Sequence, residues 1–176
     1  METIEKKHLE NLLLLKSKNY LLLDDNEKVY ITDIFYKNLD WLSEETLLMV
    51  ILNFRIPFFK EFSPSQKDIF IDMLLKRNFN DVTILSSIID FFGVVFKYCS
   101  NEAQTKICEY LNKITTQIYS SPYTIMAICN FVWVTFKSLT LDNQKKWFEQ
   151  IRFLLTQDSY PFLYDTINYT YHQISK

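Results

Sequence analysis

Asn130-Phe131-Val132-Trp133-Val134-Thr135-Phe136-Lys137 is the third appearance of one pattern in this chain. Asp90-Phe91 leads to Phe96-Lys97 in the same way, and Asn53-Phe54 leads to Phe59-Lys60, so that each lysine follows an aromatic and stands seven residues beyond the Asn or Asp. A glutamine comes next in every copy, Gln66, Gln104 and Gln144, and opens a second helical pattern. Successive lysines are 37 and 40 residues apart, and successive glutamines 38 and 40. A fixed period in this range is the signature of stacked helix pairs. Such an array presents a surface rather than an active-site cleft.

The composition agrees with a helical chain. At 176 residues it reads as one domain, and 48% hydrophobic with 16% aromatic residues supply a substantial core. Gly93 is the only glycine and there are four prolines, which excludes a Gly-rich phosphate loop and leaves tight hairpins poorly supplied. Net charge is −2, so no overall field draws nucleic acid. The charge is uneven: residues 1–45 hold ten acids and six bases, and residues 46–176 hold eleven acids and thirteen bases. Cys99, Cys108 and Cys129 are odd in number, lack any CxxC spacing and sit in apolar or helical contexts. They read as buried thiols of a reducing compartment, and the expected location is the cytoplasm. The charged N-terminus gives no signal peptide, and no apolar run reaches the roughly 20 residues of a membrane span.

The pattern predicts an all-α fold of nine helices. The first covers Glu2–Ser17, and the second Val29–Trp41, after a link carrying Asp24-Asp25. The third runs from Ser43 to Lys60, with a kink expected at Pro57 because proline removes the bond to the Asn53 carbonyl. Ser63-Pro64 starts the fourth, ending near Arg77, and Asp81 starts the fifth, through Tyr98. Ser100 caps the sixth, through Tyr119, and Ser121-Pro122 starts the seventh, through Ser138. Asp142 or Thr140 caps the eighth, through Gln157, and Ser159 with Pro161 starts the ninth, through Ile174. The third, fifth and seventh are apolar on most sides, whereas the fourth, sixth and eighth are amphipathic, so the former want burial among several neighbours.

Residues 43–158 therefore resemble HEAT or armadillo α-solenoid repeats, Pro57 being similar to the proline that kinks the first helix of a HEAT unit. That resemblance implies a right-handed α-solenoid of stacked antiparallel helix pairs. Residues 1–42 would be N-terminal capping helices, 43–158 three helix-pair repeats and 159–176 a C-terminal capping helix. The Asp and Arg ladder of HEAT repeats is not reproduced; Asp142 and Arg152 are its only echo.

Chemistry-bearing constellations are sparse. His8 and His172 stand near opposite chain ends with no second ligand at helical spacing, so neither metal nor cofactor is expected. Glu44-Glu45 and Asp24-Asp25 are adjacent carboxylates, which on a helix do not face each other and read as caps. Asp68, Asp72 and Lys76 form an ordinary ion-pair stripe. Three arginines among sixteen lysines make a poor phosphate-gripping groove, which argues against nucleic acid.

Two surfaces remain as candidates. One is the acidic N-terminal part, Asp24, Asp25, Glu27, Asp33, Asp40, Glu44 and Glu45, as a docking patch for a basic partner. The other is the seam Asn53, Lys60, Asp90, Lys97, Asn130 and Lys137, a polar line through otherwise apolar helices. The expected function is non-catalytic protein binding. Small size, few arginines and an AT-rich residue usage resemble small bacterial immunity proteins, which neutralise a cognate toxin in contact-dependent competition. The resemblance implies a protein partner such as a basic nuclease domain. A helical-repeat scaffold or adaptor, which would bind several partners weakly, is the alternative. A HEAT-like nucleic-acid enzyme, which would bind DNA in a strongly salt-dependent manner, is a second.

Overall fold

The structure, a computed structural model, describes residues 2–117, 121–156 and 163–175, without the side chains of 2–3, 54–58, 61 and 116–117. Among the described residues it is all-α, with nine helices and no strand. They are α1 (Glu2–Lys18), α2 (Asp25–Asn38), α3 (Glu44–Glu61), α4 (Pro64–Lys76), α5 (Val82–Val95), α6 (Asn101–Gln117), α7 (Pro122–Thr135), α8 (Leu141–Leu155) and α9 (Tyr164–Ile174). The chain divides into two compact units, Met1–Phe79 and Asn80–Lys176. The expected helix start at Ser159 and Pro161 lies outside the described residues, and at the expected kink, Pro57, the side chain is outside them.

Polar residues fix where the helices begin. Ser43, Ser63, Asp81 and Thr140 each accept a backbone N–H from the first turn that follows. Ser100 accepts from Ala103 N at 3.1 Å. These bonds satisfy donors that have no partner inside the helix. Of the two candidate caps for α8 it is Thr140 that acts, while Asp142 pairs with Lys146 at 2.7 Å. α2 starts four residues earlier than its apolar pattern suggests. Asp24 Oδ1 accepts from Glu27 N at 2.9 Å and the Glu27 carboxylate accepts from Asp24 N, a reciprocal capping box.

In the N-terminal unit α1 packs along α3, and α2 touches both. The core is aromatic: Phe35 meets Phe70 edge-on at 5.9 Å, and Phe62 meets Phe70 at 5.6 Å. Fully burying one such ring contributes about 2–3 kcal/mol. Arg77, just past the end of α4, donates from Nη1 to Leu42 O at 3.0 Å and from Nη2 to Leu39 O. It thereby covers carbonyls left open where α2 ends. Glu10 of α1 accepts from Ser43 N at 2.8 Å, placing an anion at the α3 N-terminus.

In the C-terminal unit α7 lies between α5 and α9. Its buried side includes Ile125, Ile128, Phe131 and Val132. Phe131 meets Phe96 edge-on at 5.4 Å and Trp147 of α8 at 6.1 Å. The 40-residue echo becomes a repeated geometry here. α5 and α7 each tighten into a 3-10 turn, Phe96–Tyr98 and Phe136–Ser138, where the sequence pattern suggests continued α-helix. Gln104 Nε2 donates to Phe96 O at 3.0 Å and Cys99 O at 3.2 Å; Gln144 Nε2 donates to Phe136 O at 3.0 Å and Leu139 O at 3.2 Å. Gln66 does something else: its Oε1 accepts from Ser63 N at 2.9 Å in a capping box. Gln66 stands three residues after its cap, where Gln104 and Gln144 stand four after theirs, and that one-residue offset accompanies the different role.

Candidate functional site

The seven N-terminal acids fall into two groups. Asp24, Asp25 and Glu27 open α2, Asp33 lies midway along it, and Asp40, Glu44 and Glu45 lie beyond its other end. A helix of 14 residues separates the ends by about 20 Å. Most of these charges are locally occupied. Glu27 pairs with Lys16 of α1 at 2.8 Å, Asp33 with Lys37 at 2.7 Å and Asp25 with Lys28 at 3.5 Å. The Lys16 ammonium, helped by the Asp24 N–H, holds the Glu27 carboxyl below its ordinary range. Asp40 and Glu44 flank Arg77, whose burial lowers its pKa while the two acids oppose the shift. Glu44 and Glu45 occupy the first turn of α3, where negative charge complements the helix dipole.

The first group also borders an apolar surface that sequence patterning does not single out. The 3-10 turn Tyr20–Leu22 precedes α2 and leaves Leu21 78% and Leu22 85% exposed. Val29 and Tyr30, one helical turn on from Asp25 and Asn26, are more than half exposed as well. Four large apolar side chains thus stand in water within ten residues, interleaved with Asp24, Asp25 and Glu27. Singly exposed apolar residues are ordinary; a cluster with a charged border is the composition of an interface.

The seam residues are all exposed, and its three Asn and Asp positions all take part in bonds between helices. Asn53 of α3 donates to Ser17 Oγ of α1 at 2.9 Å. Asp90 of α5 accepts a hydrogen bond from the Asn130 side chain of α7. Burial nevertheless raises the Asp90 pKa, with the Asn130 bond acting in the opposite direction. Lys97 reaches over the Tyr98 ring at 5.1 Å, whereas Lys60 and Lys137 are exposed.

Above the Asp90–Asn130 pair runs a groove of about 380 Å³ between α5 and α7, lined among others by Gly93, Val94, Trp133 and Val134. Trp133 is 49% exposed and is held edge-on against Tyr169 of α9 at 5.7 Å. A broader depression between α6 and α8 is lined by Glu109, Asn112, Lys145, Lys146, Glu149 and Gln150, polar groups of both signs.

Among the described residues no group of three or more His, Cys, Asp or Glu side chains is placed to hold a metal. His8 and His172 are both exposed. All three cysteines are buried thiols; burial pushes the Cys108 thiol up to about 11 and that of Cys129 up to about 12. Among the same residues no helix is long and apolar enough to cross a membrane. In comparisons with known proteins, no family model, no curated protein and no solved structure matches this chain.

Proposed function

We propose that this chain is a non-catalytic protein-binding module that docks a basic partner on its N-terminal unit, acting as an immunity protein that neutralises a cognate toxin. The observation that carries the reading is the exposed Leu21, Leu22, Val29 and Tyr30 beside Asp24, Asp25 and Glu27. An apolar centre supplies binding energy when it is covered, and an acidic border selects a cationic surface and speeds encounter with it. A nuclease domain is a basic toxin of the kind such a border suits.

The test is affinity capture from the source lysate with the intact chain and with a Leu21→Asp/Leu22→Asp variant. A stoichiometric partner that is toxic when expressed alone, is rescued by co-expression with the intact chain and is lost by the variant supports the reading. A partner retained by the variant sinks this surface. Several weak, non-toxic partners replace neutralisation with a scaffold role. Salt-dependent retention of nucleic acid in place of protein replaces both.

A further inference from the structure

We propose that the α5–α7 groove of the C-terminal unit is a second docking site, which takes a Lys or Arg presented between apolar residues of a partner polypeptide. The charged head would sit on the Asp90 carboxylate, and the aliphatic stem would lie against Trp133 and Val134.

Three observations converge on that occupant. The first is the charge of Asp90. Among the described residues no lysine or arginine pairs with it; its neighbour is the neutral Asn130. The corresponding positions of the repeat are Asn53 and Asn130, so the interhelical role is open to an uncharged amide. A carboxylate at Asp90 carries a desolvation cost that an amide would not, and an incoming cation is the chemistry that offsets it.

The second is the wall of the groove. Trp133 is the aromatic best suited to hold a cation or its aliphatic stem, and Tyr169 fixes the ring's position in advance. Phosphate-rich ligands are repelled by the same carboxylate.

The third is Gly93, the only glycine of the chain, which sits in the last turn of α5. Its backbone is helical and does not require glycine. A Cβ built there would stand 3.7 Å from Phe131 Cα and 3.8 Å from its ring, ordinary contact distances. Alanine would therefore fit, and it has the higher helix propensity. What glycine provides at this point is a lower groove floor.

This site stands independently of the apolar cluster on the N-terminal unit, and one experiment separates them. A random dodecapeptide library is panned against the full chain. The recovered peptides are titrated by fluorescence anisotropy against the intact chain, D90N, W133A and Leu21→Ser/Leu22→Ser, with circular dichroism as the check on folding. D90N is the isosteric neutral replacement, and an amide serves the same interhelical role at Asn53, so it keeps the fold. The expected binders carry Lys or Arg between apolar residues. They lose roughly tenfold or more in affinity on D90N and on W133A, and keep it on the Leu21/Leu22 variant. Replacing the peptide's arginine by citrulline costs as much on the intact chain and nothing further on D90N. Binders that lack a cation, binders indifferent to D90N, or the recovery of no Asp90-dependent peptide overturn the proposal.

Discussion

Replacing Gln144 by leucine tests whether the 40-residue echo is energetic as well as geometric. The substitution keeps most of the side-chain volume and removes two bonds, Nε2 to Phe136 O at 3.0 Å and to Leu139 O at 3.2 Å. A net contribution of about 0.5–1.5 kcal/mol per hydrogen bond sets the loss at about 1–3 kcal/mol. Phe136 O keeps a backbone donor, Leu139 N at 3.1 Å, so that carbonyl is not orphaned and the loss falls in the lower half, about 1–2 kcal/mol. Gln104→Leu removes bonds of the same lengths, and Phe96 O likewise keeps Cys99 N at 3.1 Å. The two variants should therefore lose the same stability to within about 0.5 kcal/mol. Gln66→Leu removes one exposed capping-box acceptor and should cost less, about 0.5–1 kcal/mol. For the Gln104 and Gln144 variants urea unfolding is followed by tryptophan fluorescence in a Trp41→Phe background, where the signal comes from Trp133 and Trp147 of the C-terminal unit alone, and for Gln66→Leu of the N-terminal unit it is followed by circular dichroism. A difference above about 1 kcal/mol between the Gln104 and Gln144 variants, or two losses below about 0.3 kcal/mol, would refute the equivalence.

The other expectations concern stability and thiol chemistry. Arg77→Met removes charge-assisted bonds to Leu39 O and Leu42 O, and should cost about 2–4 kcal/mol in urea unfolding, with Arg77→Lys recovering only part. Glu10 has its pKa lowered below the ordinary 4.5; burial acts against the shift, and the hydrogen bonds from Ser43 and Thr46 together outweigh it. That stabilisation is present above the ordinary value and lost as pH falls through the lowered one. Glu10→Gln should therefore be less stable than the intact chain at neutral pH, and the gap should close under acid unfolding. Cys108 and Cys129, pushed up to about 11 and about 12, should resist a thiol reagent at pH near 8 in the folded chain and react once urea unfolds it. Fast labelling of either in the native state would mean that the core opens locally.

What the sequence made legible depended on the range of the interaction involved. Caps at Ser43, Ser63 and Asp81 are local bonds, completed within three residues, and the sequence pattern places them correctly. The end of α5 is different. Continuing through Tyr98 was the natural expectation from the apolar run. Yet the helix tightens at Phe96, where Gln104, eight residues on and in the next helix, bonds the Phe96 and Cys99 carbonyls. The start of α2 was readable in principle from Asp24 and Glu27, but Leu21-Leu22-Leu23 interrupts the helical period and masks it. Of those three only Leu23 is buried. The candidate sites were read in part. Asp90 and Asn130 were singled out by their repetition, whereas Trp133 stands in a helix apolar on most sides and reads there as core. Its exposure follows from α7 packing between α5 and α9, which leaves one stripe of that helix uncovered.

A repeat also shows where a chain departs from itself, and those departures separate structure from function here. A polar residue recurs at the same register because a buried helix meets the edge of its neighbour there, and an amide is enough to join them, as Asn53 does with Ser17. Architecture therefore explains an asparagine at this register but not the charge of Asp90. It likewise explains a helical residue at Gly93 but not the missing side chain, since a Cβ has room. The two departures are three residues apart on one helix and border the same groove as a half-exposed tryptophan. Each is mildly unfavourable for folding, one through desolvated charge and the other through helix propensity. Gly93→Ala, which architecture alone favours, should thus raise thermal stability while weakening the Asp90-dependent peptides. A variant that gained stability and kept full peptide affinity would leave the glycine without a role in the groove.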